Sequence, residues 1–429
     1  MSTTPIRPVR NRPIRPVHGS TRIESTRTVG LCVIGVLAGA LAMHARSAGA
    51  ATNASDPFDF FVSDRYLYDD NLFRLADGVV PIQPVIKSKD DSLNRLSAGI
   101  AARVDAERQV FELNLRADDV RYDKNDDLDY TGGSGTLLWN LKMGHGLSGR
   151  VQARYDRSLA SFSNYQLFVR DIVDVANYGA QLRYEIGSRW SVYGGVNFAT
   201  ADHSAEIRKL NEFRAQTGRA GVEYQTPSGN IFGLGYDFTD ATFPVAERTL
   251  GAIAANYQDM VPAATLSYAF TVKTSLYARV GYLTRDYDNP TLGDFSGDVW
   301  NVTLHWEPRA KLYFDIKGWH DLRAYSDAES DYFVSDGGSI TPTWEPTEMI
   351  KVSAVYSVER QKYVGIEPLL PTSTARRKDD VNSAQLSIAY SPRDFFSLEL
   401  GYNWVNRDSN RDFRTYGDNV AYAQLKFTL

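Results

Sequence analysis

The sequence predicts an all-β fold, a transmembrane antiparallel up-and-down β-barrel of about 18 strands, and three observations carry that expectation. From Leu93 to Leu429 the chain repeats runs of about ten residues in which apolar and polar side chains alternate, as a membrane-crossing strand requires. The first 50 residues have the pattern of an export signal, and the chain finishes inside one of the alternating runs. The connections between runs alternate between short and long.

The alternation has a direct structural meaning. Tyr178, Ala180, Leu182, Tyr184 and Ile186 are separated by Gly179, Gln181, Arg183 and Glu185, and Phe396, Leu398, Leu400, Tyr402 and Trp404 by Ser397, Glu399, Gly401 and Asn403. A period of two sends successive side chains to opposite faces of a strand, so each run has one apolar and one wet face.

Residues 1–50 are set apart as a targeting segment. Arg7, Arg10, Arg12, Arg15, Arg22 and Arg27 lead into an apolar run from Val29 to Ala42, and Ala48-Gly49-Ala50 supplies a small-x-small cleavage pattern, with cleavage expected after Ala50. Cys32, the single cysteine, leaves with that segment, so residues 51–429 have no disulfide or thiol chemistry. Removal also leaves 40 basic against 51 acidic side chains, a formal charge of −11, which argues against nucleic acid as a partner. No stretch of about 18 apolar residues exists, so helical spans are excluded, whereas a barrel needs only alternate apolar positions.

After Asp56-Pro57 a first strand is expected from Phe58 to Tyr68, then an irregular segment to Asp91. Short connections follow at Asp105–Arg108, Gly144–Gly146, Gly187–Arg189, Thr226–Asn230, Thr271–Thr274, Glu307–Ala310, Glu345–Glu348 and Ser391–Asp394. Long polar ones fall near 123–128, 158–170, 201–209, 241–256, 286–295, 322–332, 362–380 and 406–415. With the first irregular segment this makes nine long connections and eight short ones, hence 18 strands, with tight turns toward the periplasm and long loops outside. Trp306-Glu307-Pro308, Trp344-Glu345-Pro346, Tyr390-Ser391-Pro392 and Tyr224 before Pro227 place aromatics beside proline turns, an interfacial girdle at the periplasmic rim. Pro342 falls inside the strand expected from Phe333 to Glu345, which predicts a bulge or a shifted boundary. In the last strand Ala421, Ala423, Leu425, Phe427 and Leu429 share one face and Tyr422, Gln424, Lys426 and Thr428 the other.

Eighteen strands enclose more space than side chains can fill, so a water-filled lumen is expected. The parity that turns apolar residues toward lipid turns Arg103, Glu112, Arg116, Arg150, Arg154, Arg183, Glu185, Arg219, Glu223, Arg279, Asp315, Lys317, Lys351, Glu399 and Lys426 inward, with Tyr193, Tyr277, Tyr313 and Trp319. Guanidinium groups clamp acidic groups, and aromatic faces stack on sugar rings. The arginines, Lys317 and the four aromatics are therefore candidate polysaccharide contacts, weighed against a solvated wall whose charges balance one another. The segment 70–91 is long enough to fold inward as a constricting loop.

Catalytic and metal patterns are sparse. Of the histidines after residue 50, His145 falls in a tight turn, His203 in an external loop and His305 in the lumen, and His320 has lipid-facing parity near the outer rim. Only His320 suits a barrel-embedded lipid hydrolase, and no serine is tied to it by spacing. No histidines stand at i, i+2 or i, i+4, and the acidic groups Asp69, Asp70 and Asp123, Asp126, Asp127, Asp129 lack the ligand order of a calcium loop. No catalytic residue, metal or cofactor is assigned.

Tyr68-Asp69-Asp70-Asn71-Leu72-Phe73-Arg74-Leu75 resembles the opening of EpsL-type outer-membrane proteins of exopolysaccharide clusters, and Leu128-Asp129-Tyr130-Thr131-Gly132 and Ser158-Leu159-Ala160-Ser161-Phe162 are similar to further patches of that family. The resemblance implies a porin-like barrel in the outer membrane of a Gram-negative cell, taking part in exopolysaccharide export for capsule or biofilm. Its implied partners are outer-membrane lipid, the outer-membrane assembly machinery, polysaccharide and periplasmic export proteins. It brings no catalytic residues. The same wall would suit a passive diffusion porin for small hydrophilic solutes or oligosaccharides. A lipid hydrolase and a structural barrel whose loops scaffold other envelope proteins are the remaining classes.

Overall fold

The computed structural model describes residues 57–79, 86–163, 168–251, 254–290, 292–324, 332–364 and 376–429, so the expected signal segment, its cleavage site and Cys32 lie outside the described residues. Eighteen strands form one antiparallel sheet. In chain order they are β1 (Phe58–Asp69), β2 (Asp91–Ala106), β3 (Gln109–Tyr122), β4 (Tyr130–Gly144), β5 (Leu147–Leu159), β6 (Ile172–Ile186), β7 (Trp190–His203), β8 (Phe213–Gln225) and β9 (Ile231–Thr242). They continue as β10 (Tyr257–Thr271), β11 (Thr274–Tyr287), β12 (Phe295–Arg309), β13 (Leu312–Ala324), β14 (Tyr332–Trp344), β15 (Ile350–Val364), β16 (Lys378–Arg393), β17 (Phe396–Ser409) and β18 (Tyr416–Thr428). A single short helix, α1 (Pro244–Leu250), is found among the described residues, with three 3-10 turns in other long connections.

Each strand pairs with its chain neighbours, and β1 pairs with both β2 and β18, which closes the barrel from Phe61↔Thr428 to Asp69↔Val420. Closure leaves no strand edge whose N–H and C=O groups would face hydrocarbon without partners. Long connections gather at one end and tight turns at the other, the arrangement of bacterial outer-membrane barrels.

Burial confirms the two faces. Phe58, Phe60, Val62, Tyr66 and Tyr68 of β1 and Leu182, Tyr184 and Ile186 of β6 stand exposed on the outside, while Ser63, Ser97, Ser191 and Asp237 are buried on the inside. The exposed apolar side chains of the outer face form the lipid-facing belt. At the tight-turn rim Trp190 packs on Tyr224 at 5.0 Å, Trp306 stacks on Phe314 at 5.2 Å, and Phe396 meets Phe427 at 5.2 Å, which builds the expected girdle.

The prolines depart from expectation in an instructive way. Pro308 and Pro392 do not occupy turns; they lie in the last residues of β12 and β16, where the register shifts between Trp306 and Arg309 and between Tyr390 and Arg393. A bulge frees the position from donating to the ladder, so the proline fits there. Pro342 shows neither a bulge nor a shifted boundary. It stays opposite Phe314 on β13, while pairing with β15 skips from Ile340↔Tyr356 to Thr343↔Ser353 in unchanged register. Pro262 of β10 does the same, paired with Tyr236 on β9 and skipped on the β11 side. In an antiparallel ladder each residue bonds toward one neighbour only, so a missing donor weakens one side and leaves the other intact.

Candidate functional site

The inward face carries the polar chemistry, and register brings part of it together. Arg183 of β6 stands opposite Tyr193 of β7, which stands opposite Gly221 of β8, in turn opposite Gly235 of β9. Around this row, Arg183 lies 2.5 Å from Glu223 and donates to Ser191 Oγ at 2.9 Å. Arg219 grips both oxygens of Asp237 at 2.8 Å, and Arg279 donates to the same carboxylate at 2.9 Å. Two guanidinium groups on one buried carboxylate leave that cluster with a net positive charge.

The other predicted contacts are dispersed. Arg103 pairs with Glu112 and Asp105 at the periplasmic rim, Arg116 with Asp118 at 2.9 Å, and Arg150 donates to Asn140 at 2.9 Å. Arg154 is exposed into the lumen. Tyr277, Thr303 and Lys317 form one cross-strand row, and the Tyr313 ring sits 5.8 Å from that of His305, whose Nδ1 is 2.8 Å from Asp315. Trp319 donates its indole N–H to Ser335 Oγ at 2.9 Å.

The aromatics lie along the wall. A Cβ at Gly221 or Gly235 would overlap the Tyr193 ring, one at Gly337 would overlap Trp319, and one at Gly401 would overlap Tyr422. Each ring covers a glycine of a neighbouring strand, so one face of it is used inside the protein. This modifies the expectation that Tyr193 and Trp319 offer free faces to sugar rings.

The segment Tyr68 to Arg74 is a clasp at the barrel seam. Asp69 accepts the backbone N–H of Asn71 and the Arg74 guanidinium, each at 2.9 Å, and Arg74 reaches Asp418 of β18 at 2.8 Å. Asp70 accepts both the backbone and side-chain N–H of Asn419 at 2.7 Å, while Asn71 bonds Leu75 and the carbonyl of Gly417. Burial alone would lower the Arg74 pKa, but Asp69 and Asp418 outweigh it and the guanidinium is held above its ordinary value. Asp69, Asp70 and Asp418 stand close enough to share a cation, and Arg74 already fills that role. Tyr68 points outward and donates to Asp90 at 3.2 Å.

Above the wall, three long connections form a packed outer mouth. Leu72, Phe73, Leu75 and Ile86 of the first one share a core with Phe162 of the connection between β5 and β6, the two phenylalanine rings 4.8 Å apart. Ser163, next in that connection, accepts from Arg407 of β17 at 2.6 Å. Arg407 is fully buried, sits 5.4 Å over the Tyr416 ring and flanks Asp379, which Arg377 holds at 2.6 Å. Ser163 thus reaches a strand six positions round the ring from β5. In the third connection Phe243 and Ala246 pack on Ala199, Ala201, Ala215 and Ala241, small inward-facing side chains that leave room for α1. Leu72, Phe73, Leu75 and Ile86 pack on the inward-facing Leu93, Val120, Tyr122 and Tyr130, while residues 80–85 of the expected constricting loop lie outside the described residues; the packing of the two other connections and the roles of Asp237, Asp379 and Arg407 were not foreseen.

His320 has its expected outward parity. Its Nδ1 bonds Asp336, which also accepts Lys362 at 3.0 Å, and its ring stacks 6.4 Å from Trp300.

Residues 266–429 match the family described as "Putative beta-barrel porin 2". No curated protein matches the chain. Among solved structures the chain is similar to a BenF-like porin from Pseudomonas fluorescens Pf-5, with 10% identity over 87% of this chain and 99% of that one and a TM-score of 0.47. It is also similar to Pseudomonas aeruginosa OccK2 (OpdF), with 11% identity over 87% and 98% and a TM-score of 0.46. Pseudomonas aeruginosa OpdQ gives 10% identity over 87% and 97% and a TM-score of 0.44. A closed 18-strand barrel with a lipid-facing belt and a C-terminal portion matching a porin family is a porin-like barrel of the Gram-negative outer membrane.

Proposed function

We propose that the barrel is a passive channel for small hydrophilic solutes. The observation that carries this reading is the mouth, where the Phe73–Phe162 core, the Arg407–Ser163 bond and the α1 seat all draw long connections inward over a polar lumen. A polymer needs a continuous wide passage, whereas a solute of a few rings needs only the space between these packed segments. The test is conductance in planar bilayers together with swelling of proteoliposomes in sugars of increasing length. Passage of mono- and disaccharides with exclusion of longer oligomers is expected, and a barrel that conducts nothing sinks the reading.

Participation in exopolysaccharide export is the second reading, favoured by the likeness of Tyr68 to Leu75 to the EpsL-type opening. It predicts that deleting the gene traps polymer in the periplasm. Unchanged secretion would remove it and leave the solute channel standing.

A further inference from the structure

Two arginines face each other directly across the first pair of strands. Arg65 of β1 is the register partner of Arg95 of β2, and both point inward, since Tyr66 and Leu96 beside them are exposed on the lipid side. Like charges directly opposite on a sheet repel, so such a pair needs something to offset it.

The surrounding groups offset it only in part. Arg65 spends its Nε on Gln424 at 2.6 Å and lays its guanidinium 4.5 Å over the Tyr422 ring. Its two terminal nitrogens find no acceptor among the described residues. Arg95 has no ion-pair partner there, and its Nε is buried without a hydrogen bond. Arg116 of β3 adds a third cation within electrostatic range of Arg65. Two carboxylates lie nearby, Asp118 held by Arg116 Nε at 2.9 Å and Glu399, which accepts from the Tyr422 hydroxyl at 2.6 Å and lies within electrostatic range of Arg65, so three guanidinium groups exceed two carboxylates by one positive charge. Arg65, Arg95 and Arg116 are each half-buried, so their free donors border the lumen.

Resting on the channel reading, we propose that Arg65, Arg95 and Arg116 form an anion site on the lumen wall that binds small, multiply charged carboxylates. Guanidinium forks match the two oxygens of a carboxylate, and one bridging anion turns the Arg65–Arg95 repulsion into two attractions. Gln424 and Tyr422 of β18 fix the direction of Arg65, so the site straddles the seam where the barrel closes. A solute carrying several carboxylates would be drawn to this wall against the overall acidity of the chain.

The experiment uses the full-length barrel in planar bilayers, with R65Q, R95Q and the double variant. R360Q, which removes one charge from the lipid-facing side, serves as the control. Removing one of two repelling cations does not threaten the fold, and heat-dependent gel migration of each variant checks it. In a KCl gradient the native channel is expected to favour chloride and to be blocked by citrate but not by sucrose. The double variant should lose the chloride preference and need about ten-fold more citrate for half block, the loss of one well-formed charged contact, while R360Q behaves as native. Equal selectivity and equal citrate block in native and double variant overturn the anion site and leave the channel intact. A native barrel that does not conduct overturns the channel reading itself.

Discussion

The guanidinium of Arg407 on β17 donates to the carbonyl of Ser163, 244 residues earlier in the chain and six strands away round the ring. That bond fastens the connection between β5 and β6 to a different sector of the wall. Arg407 is itself braced by Asp379 and by the Tyr416 ring, so the fastening point is rigid.

Replacing Arg407 with Ala should therefore release the connection and raise single-channel conductance, while Arg377 continues to neutralise Asp379. The β-ladder does not depend on Arg407, so urea unfolding should shift by no more than about 3 kcal/mol, the scale of one hydrogen bond to a charged group. An unchanged conductance would mean that the connection does not narrow the path.

Asp237 holds two arginines, and its side chain is nearly inaccessible. Asp237→Ala leaves Arg219 and Arg279 facing each other without a counter-ion and should destabilise the barrel by ~3 kcal/mol or more, read from urea unfolding in lipid vesicles. Asp237→Glu, which retains the charge, should recover part of that loss. Equal stability of the Ala variant and the native protein would show that lumen water screens the pair.

Gly337→Val places methyl groups where the Trp319 ring lies. The ring must leave the wall and abandon Ser335, at a cost of about 1–3 kcal/mol for overpacking. Its fluorescence should become more accessible to a quencher that enters the lumen, and an unmoved quenching curve would contradict the flat placement of the ring.

Asp90, in the first long connection, is held down to about 2 by the ammonium of Lys124 and the hydroxyl of Ser88. A depressed carboxylate stabilises the fold above its unfolded pKa, so this tether is complete above about pH 4 and is lost as pH falls toward 2. Carboxyl NMR should place the Asp90 midpoint near that value, and Lys124→Met should return it toward about 4. A midpoint unaffected by the substitution would show that Lys124 is not its partner in solution.

The strand plan could be read along the chain because lipid imposes a rule on every second residue. Leu182, Tyr184 and Ile186 must be apolar wherever neighbouring strands lie, and 18 such runs stand out one at a time. Parity likewise puts Arg183, Arg219 and Arg279 inside, and the same rule applied to β1 and β2 turns Arg65 and Arg95 inward, but only the register makes them a pair. The prolines were harder. Pro308 and Pro392 look like turn residues in a linear reading, and only pairing registers reveal that each sits in a bulge one step earlier.

What the sequence by itself determined was the barrel: the number of strands, the side on which the tight turns gather, and which side chains face lipid or water. These follow from a local period and from turn residues, both properties of consecutive positions. What only the tertiary structure decided was the use of the interior. Arg65 meets Arg95, Arg74 meets Asp418, and Ser163 meets Arg407 through ring closure, register and the inward turn of long connections. Those depend on contacts between residues tens to hundreds of positions apart, and a period of two holds no information about which distant partner a side chain will find.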